Sequence, residues 1–484
     1  MPFASLTFLG FTAAAVVAYY LVPRNYRWCI LLAASYLFYM AGGWHAVFYI
    51  IFTTAVTYIA GRLLNSINKV LYRKIIVAIS LILCLGLLFM LRYLDFAQNL
   101  IIPLGISFYI FQSIGYVIDV YRGKHGPEAN IGKFALFISF FPQIIQGPIS
   151  RFNQLAPQLE EGNNLDLQNI KYGIQLAMWG YFKMLVIAGR AGMIVDAVYG
   201  NFADYDGAVI AFAVLLFGIQ LYCDFSGGID ITRGVAKMFG INMVDNFRRP
   251  IFSTSLAEFW RRWHITLGTW LKDYLFFSLA LSKPIVKIGM FTRHRIGGTL
   301  GKIIPTSLCT FAVYFAVGIW HGASFRYIAF GIWNGVIITS SLLLAGFYTD
   351  IKKRLRINDK SFLWWVFCVF RTGALVSVGW YLVRAPRFVY GVNMLRRTFT
   401  HFRPRSLLDG TLLNFGLTWV DLAIIFIAMA VVVALEFYQE KGGEVRKSLE
   451  SKNFLVQWAA IFMPLAAIIF LGMWGYTEVT LYGQ

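Results

Sequence analysis

The sequence is poor in charged residues, and acidic residues are scarcer than basic ones. Charged residues make up 14% of the 484 residues, with 43 lysines and arginines against 23 aspartates and glutamates. In contrast, 58% of the residues are hydrophobic and 17% are aromatic. A soluble chain of this length does not need so much apolar surface, whereas each membrane-spanning helix needs about 20 apolar residues. The composition therefore predicts an integral membrane protein.

Alternating polar–apolar runs, internal repeats and long polar linkers are also missing from the sequence. The apolar runs are continuous, which indicates helices rather than the strands of a membrane barrel. We therefore predict an all-α polytopic membrane protein that forms a single domain over residues 1–484, with about twelve to fourteen membrane segments. The run from Phe134 to Ile149 contains Pro142, Gly147 and Pro148, so it cannot be a straight helix. Such a broken or re-entrant segment must be buried in protein or line a cavity.

Cysteine pairs and long basic tracts are absent as well. The five cysteines are scattered without a CxxC pair, and most lie in apolar runs, so we interpret them as buried apolar residues and expect no disulfide or metal site. The basic residues form short clusters between apolar runs, as expected for positive charges that anchor membrane loops. The net charge of +20 therefore predicts membrane anchoring and no nucleic-acid partner.

Common catalytic signatures are missing, but two histidines stand out. The sequence has no GxSxG, HExxH or Walker motif, so a serine acyl-enzyme and a zinc protease site have no support. His264 lies within Phe259–Phe277, FWRRWHITLGTWLKDYLFF, and His321 lies within Trp320–Ser324, WHGAS. A histidine at or within a membrane span is costly, which indicates a function unless the ring simply hydrogen-bonds to backbone at the interface.

Several long motifs resemble one enzyme family. FWRRWHITLGTWLKDYLF and WHGAS are similar to signatures of the membrane-bound O-acyltransferases (MBOAT), in particular of the bacterial alginate O-acetyltransferase type. Three further stretches resemble the same type in the same order: Pro103–Gly123, Phe137–Phe152 and Leu221–Ile241. The resemblance is best over Pro103–Gly346 and implies an MBOAT-type helical bundle in the bacterial cytoplasmic (inner) membrane.

The resemblance also implies roles for particular residues. His321 matches the histidine taken as catalytic in the family, and a histidine is a suitable base because its pKa lies near neutral pH. His264 occupies a position where relatives carry asparagine or histidine, which suggests a hydrogen-bond donor to substrate. Substrate or tunnel contacts are expected from a further set: Asp224, Ser226, Trp263, Trp320 and Asn334. Relatives of the alginate type often have histidine where this chain has Asn334. This difference leaves the expected catalytic histidine unchanged and bears on which acceptor the chain uses.

The basic residues near His264 have two interpretations. Arg261, Arg262 and Lys272 belong to a long basic face that we expect on the cytoplasmic side. They either anchor the loop or attract an anionic donor, such as acetyl-CoA or an acyl carrier protein. We interpret Asp230 as structural, either hydrogen-bonded to irregular backbone or paired with an arginine. We expect no bound cofactor and no metal.

These observations together favour a membrane O-acyltransferase. We expect it to move an acyl group, preferably acetyl, from a cytoplasmic thioester to a hydroxyl on an extracytoplasmic polysaccharide or partner protein. One alternative is D-alanyl transfer to teichoic acid from a carrier protein. Another is a secondary transporter or polysaccharide flippase, although such folds tend to show internal repeats.

A second basic segment lies where the alternation of spans predicts the outer side. Arg384 to Asp409 carries six arginines against the positive-inside expectation, and Phe388 to Phe402 is predicted to form an interfacial amphipathic helix. The arginines either contact lipid headgroups or attract an anionic acceptor or an acidic partner.

Overall fold

The computed structural model describes residues 1–93, 105–298 and 300–475. Within these ranges the chain is helical and contains no strand, which confirms the predicted all-α membrane fold. The predicted span Ile101–Val120 and the motif beginning at Pro103 start in residues 94–104, outside the described ranges. Their described part forms a helix over Ile106–Tyr121.

The described residues form 22 α-helices. The first eleven are α1 Leu6–Leu21, α2 Arg27–Met40, α3 Ala46–Ser66, α4 Val70–Tyr93, α5 Ile106–Tyr121, α6 Ile131–Ser139, α7 Phe152–Glu160, α8 Leu167–Tyr181, α9 Gly189–Gly200, α10 Gly207–Met238 and α11 Leu256–Arg262. The others are α12 Ile265–Leu271, α13 Phe277–Ala280, α14 Lys283–Arg295, α15 Leu300–His321, α16 Phe325–Leu343, α17 Ala345–Arg354, α18 Phe362–Arg384, α19 Phe388–Thr400, α20 Trp419–Glu440, α21 Val445–Glu450 and α22 Phe454–Leu471. Two π-helical segments, Phe182–Ala188 and Lys272–Phe276, connect neighbouring helices.

Many of these helices are long and apolar enough to cross a bilayer. Among the described residues, seven single helices meet that test, and two bent pairs raise the number to nine if each pair is one span. The bends are 66° between Ile265–Ala280 and Lys283–Arg295, and 63° between Phe325–Leu343 and Ala345–Arg354. The predicted twelve to fourteen segments also included shorter apolar runs, such as that of α1, which are below the length of this test.

Helix α10 lies at the centre of the bundle. It has 32 residues, and 78% of its most apolar window is buried. It packs closely on α8 through glycines: a Cβ atom at Gly180 would lie 2.4 Å from the Gly227 carbonyl oxygen, and one at Gly234 would lie 2.5 Å from that of Gly173. Small residues of this kind allow membrane helices to approach backbone to backbone.

The broken run after α6 is buried in protein, as predicted. Its helix ends at Ser139, and the following irregular backbone is bound by buried side chains. The Thr232 hydroxyl donates to the Pro142 carbonyl at 2.8 Å. The Ile149 amide donates to the hydroxyl of Thr266 at 3.1 Å. These bonds replace the ones that a helix would supply and tie the segment to the start of α12.

Candidate functional site

His321 lies at the turn between α15 and α16. Helix α15 ends at His321, and Phe325 begins α16 after Ser324. The imidazole ring stacks on the ring of Tyr327, with centroids 5.9 Å apart and an angle of 22° between the planes. The ring of Phe330 meets the imidazole edge to face, with ring centroids 5.7 Å apart. The prediction that His321 occupies a turn between two membrane helices is therefore confirmed.

Tyr327 is itself held in place by its neighbours. The guanidinium carbon of Arg326 lies 4.5 Å from the centroid of the Tyr327 ring, and Nη2 of Arg326 donates to the Tyr327 hydroxyl at 2.8 Å. Gly322 has a φ of +154°, and a Cβ atom there would lie 2.8 Å from Cε2 of Tyr327. The glycine of WHGAS thus leaves room for the ring that supports His321. We did not identify Tyr327 from the sequence, although it lies only three residues after Ser324, the last residue of WHGAS.

His264 is held by a different arrangement. It is buried, with 3% of its surface exposed, and precedes α12 in a left-handed conformation with φ 48° and ψ 52°. Its Nδ1 atom lies 3.2 Å from Oδ1 of Asn246. The same oxygen accepts from the backbone amide of Thr266 at 3.0 Å and from its hydroxyl at 2.8 Å. Since the backbone amide identifies this atom as the oxygen, the bond to His264 requires a hydrogen on Nδ1. In the neutral ring, Nε2 is then an acceptor.

The two histidines line one cavity. Its side chains come from α10, α11, the connection between α11 and α12, α12, α15, α16 and α18: Leu221, Phe259, Trp260, Trp263, His264, Leu267, His321, Phe330, Asn334, Val376, Trp380 and Val383. The cavity has a volume of about 40 Å³. We call it the histidine cavity. Its walls are mostly apolar, so the two imidazoles are prominent among its polar groups, and water within it would find few partners.

Of the two predicted tryptophans, Trp263 belongs to the cavity lining and Trp320 does not. Trp263 lines it and stacks on Phe259 with ring centroids 5.4 Å apart. Trp320 is buried and its ring is near both histidines, with its centroid 6.2 Å from that of His264 and 4.9 Å from that of His321. The structure therefore brings both tryptophans to the histidines.

Asn334 also lines the cavity, but its polar atoms bond to protein. Its Oδ1 accepts from Nε1 of Trp260 at 2.9 Å, and its Nδ2 donates to the Phe330 carbonyl at 2.8 Å. The residue thus fixes the orientation of Trp260, another cavity side chain, which we did not single out from the sequence. Its expected contact with substrate or tunnel stays a prediction, and the residue does line the cavity.

Asp224 and Ser226 lie behind the cavity rather than in its lining. Both are buried in α10, and between them Phe225 contacts the His264 ring edge-on at 4.9 Å. The hydroxyl of Ser226 accepts from Nζ of Lys183 at 2.8 Å. Neither residue belongs to the cavity lining, and their expected place in or beside a tunnel stays a prediction.

Lys183 is a buried cation that we did not identify from the sequence. It lies in the π-helical segment Phe182–Ala188, and its Nζ is 2.7 Å from the Asp230 carboxylate. The Asp230 carboxylate is also 3.8 Å from the guanidinium of Arg233. Asp230 therefore pairs with an arginine, and it pairs more closely with Lys183. A single lysine within the apolar run YFKMLVIA was the available signal.

The predicted donor-side cations divide into two groups. Arg262 is engaged by Glu258 at 2.7 Å and by Glu440 at 2.9 Å. Burial would lower the pKa of Arg262, but hydrogen bonds and charges from these carboxylates raise it. Burial likewise opposes ionisation of Glu258, yet hydrogen bonds from Thr254 and the nearby Arg262 lower its pKa. Arg261 and Lys272 are exposed, so they remain the candidates for contact with an anionic donor.

The basic segment 384–409 begins against the His321 turn. Nη1 of Arg326 donates to the carbonyl of Ala385, and the rings of Phe325 and Phe388 meet edge to face at 4.9 Å. Helix α19 spans Phe388–Thr400, two residues shorter than predicted. Arg384 pairs with Asp196 at 2.6 Å and Arg397 donates to the Tyr205 carbonyl at 2.8 Å. The exposed arginines of this segment are Arg387, Arg396, Arg403 and Arg405.

Comparison with known proteins identifies the family. The family model described as "MBOAT, membrane-bound O-acyltransferase family" matches residues 124–292, which contain His264 but not His321. The chain is 31% identical over 475 residues to the "Probable alginate O-acetylase AlgI" of Pseudomonas syringae pv. tomato, covering 93% of this chain and 85% of that protein. It is 27% identical over 365 residues to the "Peptidoglycan O-acetyltransferase" of Helicobacter pylori, covering 67% and 64%.

A more distant relative has a different named substrate. The "Teichoic acid D-alanyltransferase" of Streptococcus thermophilus is 28% identical over 245 residues, covering 49% of this chain and 56% of that protein. The long alignment to the first relative covers both histidine motifs of this multi-pass membrane protein. These findings show that the chain is an O-acyltransferase and belongs to the membrane-bound O-acyltransferase family.

Proposed function

We propose that this O-acyltransferase moves an acetyl group from a cytoplasmic thioester to a hydroxyl reached from the opposite face of the bacterial inner membrane. The observation that carries the proposal is that His264 and His321, from distant parts of the sequence, line the same apolar cavity. The names of two relatives, an alginate O-acetylase and a peptidoglycan O-acetyltransferase, support acetyl as the group and a cell-surface polysaccharide as the final acceptor. The immediate acceptor is the polysaccharide itself or an extracytoplasmic partner protein that completes the transfer.

His321 acts as the general base in this proposal. The acceptor hydroxyl enters beside His321, which takes its proton while the hydroxyl oxygen attacks the thioester carbonyl. The carbon–sulfur bond then breaks, the new ester forms, and the departing thiolate takes up the proton. Stacking on Tyr327 and contact with Phe330 restrict rotation of the imidazole, so the base is oriented before substrate arrives.

His264 lies at the end of the cavity where we expect the acyl thioester to bind. The sequence suggested a hydrogen-bond donor to the thioester carbonyl, but the bond from Nδ1–H to Asn246 makes Nε2 of the neutral ring an acceptor. We therefore propose that neutral His264 accepts a hydrogen bond from a donor group of the substrate, and that only the protonated ring donates. An asparagine at this position keeps a side-chain oxygen that can accept in the same way.

The donor is acetyl-CoA or an acyl carrier protein, and neither is held as a resident cofactor. Both carry phosphate groups, and the exposed cations Arg261 and Lys272 lie on the helices that lead into α12 and away from it. Arg262 belongs to an ion-pair network with Glu258 and Glu440, so its proposed role is structural.

A reconstituted assay tests the proposed reaction. The purified chain in proteoliposomes should release free thiol from acetyl-CoA, and His321→Ala should lower the release by about 10²- to 10⁴-fold. If acetyl-CoA gives no thiol whereas a D-alanyl carrier protein does, the donor proposal is wrong and the alternative of teichoic-acid D-alanylation gains support. Movement of polysaccharide without any thioester cleavage would instead favour a transporter or flippase.

A further inference from the structure

A second cleft lies between α14 and the first turns of α15. It shares no lining residue with the histidine cavity. Its lining comes from the end of α13, from one face of α14 and from α15: Ala280, Ile285, Val286, Gly289, Met290, Arg293, Lys302, Pro305 and Thr306. The residues of α14 are spaced by three or four, as are those of α15, so each helix presents one continuous face to the cleft.

The width of the cleft is set by small residues at the closed end of the hairpin. The hydroxyl of Thr292 donates to the carbonyl of Gly301 at 2.7 Å. A Cβ atom at Gly301 would lie 2.6 Å from the Thr292 carbonyl oxygen, and one at Gly289 would lie 3.4 Å from Cγ of Pro305. The two helices therefore touch near Thr292, and the cleft is part of the packed hairpin rather than a surface dimple.

The charged residues in the sequence around this cleft are all basic. Between Asp273 and Asp350 the sequence has no acidic residue, although it contains four lysines or arginines from Lys283 to Arg295 and two more, Lys302 and Arg326. Arg293 and Lys302 reach the cleft from opposite helices, and neither forms a salt bridge within the described part of the chain. A pair of cations without a carboxylate partner favours an anionic ligand.

The rest of the cleft is apolar and open to the surroundings of the protein. The exposed fractions of Val286 and Met290 are 45% and 62%, and that of the neighbouring Phe291 is 61%. Helix α14 is bent by 66° from the preceding helix and combines these apolar side chains with cations. This pattern is typical of a helix that lies in the interface of a membrane. A ligand that fits must therefore carry both an anionic group and a hydrocarbon chain.

We propose that this cleft binds one anionic phospholipid. The headgroup phosphate lies between Arg293 and Lys302, where the planar guanidinium can bond to two phosphate oxygens. The acyl chain follows Val286 and Met290 towards the bilayer. The site holds the α14–α15 hairpin in the headgroup region, and α15 carries His321 at its other end. The proposal concerns lipid binding alone and does not depend on the proposed acyl transfer.

The test compares two pairs of charge substitutions on the same hairpin. Arg293→Gln/Lys302→Gln removes both cations of the cleft, and Lys283→Gln/Lys287→Gln removes two cations of α14 that do not line it. Each full-length variant is purified in a neutral detergent, and vesicles of phosphatidylglycerol or of phosphatidylcholine are added. Binding is measured by native mass spectrometry and by the shift of the unfolding midpoint.

The expected result is selective. Phosphatidylglycerol should remain bound to the unsubstituted chain and to the Lys283/Lys287 variant, with an apparent affinity about tenfold or more above that of the Arg293/Lys302 variant. Phosphatidylcholine should bind no better to one variant than to another. If the double variant does not purify, Lys302→Gln against Lys287→Gln makes the same comparison.

Three outcomes would overturn the proposal. Equal loss of phosphatidylglycerol in both double variants would mean a diffuse attraction by the basic hairpin. Equal binding of both lipids would mean that the phosphate charge pattern is not recognised. Stabilisation by inorganic phosphate or coenzyme A, with no effect of lipid, would assign the two cations to a soluble phosphate ligand.

Discussion

The two walls of the histidine cavity hold their histidines by different means. On one wall, formed by α11 and α12, His264 is buried and its Nδ1 is bonded to Asn246, which also binds the backbone of Thr266. On the other, formed by α15 and α16, His321 is less buried and is placed by stacking on Tyr327 and contact with Phe330. The hydrogen bond to Asn246 selects one tautomer of His264. The stack on Tyr327 fixes the plane of the His321 ring, which orients the proposed base before substrate arrives.

The largest effect is expected at His321. His321→Ala should lower acyl transfer by about 10²- to 10⁴-fold, because the acceptor hydroxyl loses its base. The variant should still insert and purify, since His321 lies in a turn at the end of α15. Thiol release measured under saturating acetyl-CoA checks this. Near-normal turnover by the folded variant would remove His321 from the role of base.

Substitutions at His264 should separate hydrogen bonding from proton transfer. His264→Asn keeps a side-chain oxygen at the cavity and should retain more activity than His264→Ala, by about tenfold on the scale of one oriented hydrogen bond. The measurement is kcat for both variants in the same lipid. Equal loss in the two would show that the imidazole itself transfers a proton at this position.

The stack on His321 should matter less than the base itself. Tyr327→Phe keeps the stacked ring and loses only the bond from Arg326, whereas Tyr327→Leu loses the ring face. We expect kcat to fall about tenfold for the leucine variant and little for phenylalanine, on the scale of about 0.5–1.5 kcal/mol for an aromatic pair. A pH–rate profile makes the test specific, since a displaced His321 should change the apparent pKa. Identical profiles and rates in all three proteins would leave the stack without a role.

The smallest effect is expected from the exposed arginines of the 384–409 segment. Arg396→Ala/Arg403→Ala should lower acetylation of an anionic acceptor while sparing thioester hydrolysis, because these side chains are exposed near the α19 helix that adjoins the His321 turn. Arg397→Ala serves as the control for folding, as Arg397 bonds to the Tyr205 carbonyl. Loss of both activities in the first variant would mean that the arginines stabilise the fold.

The sidedness of that segment can be tested by labelling a single cysteine from one side of the membrane. Ser406 follows Arg405 but is buried, with 5% of its surface exposed. Leu408 is 81% exposed and is the better site for a single cysteine. Labelling of Leu408→Cys from the outside supports an acceptor-facing segment, and protection from outside with labelling from the cytoplasmic side excludes it.

Much of the fold follows from short-range features of the sequence. Continuous apolar runs predict helices, and prolines within Phe134–Ile149 predict the irregular buried segment, because both depend on neighbours along the chain. Partners that depend on tertiary packing could not be derived in this way. Asn334 has a polar side chain that suits a substrate contact. Its hydrogen-bond partner, Trp260, comes from α11, far away in sequence.

The site residues also divide into those that sequence motifs located and those that only tertiary contacts reveal. The motifs located both histidines and Trp263 at the cavity, because long signatures surround them. Lys183 and Asn246 lie outside those signatures, and their roles arise from contacts with Asp230 and His264 that only the folded chain makes. Arg262 stands in a basic motif, yet Glu258 and Glu440 engage it. Charge in the sequence did not distinguish an engaged arginine from an exposed one.

The central claim is that the two histidines serve one acyl group in one cavity. A structure of the chain with a thioether analogue of acetyl-CoA tests it most directly, because the analogue keeps the carbonyl and cannot transfer it. The account predicts the acetyl carbonyl in the histidine cavity, between His264 and His321, with the nucleotide portion on the side of Arg261 and Lys272. A bound analogue whose acetyl group lies outside this cavity would contradict the account.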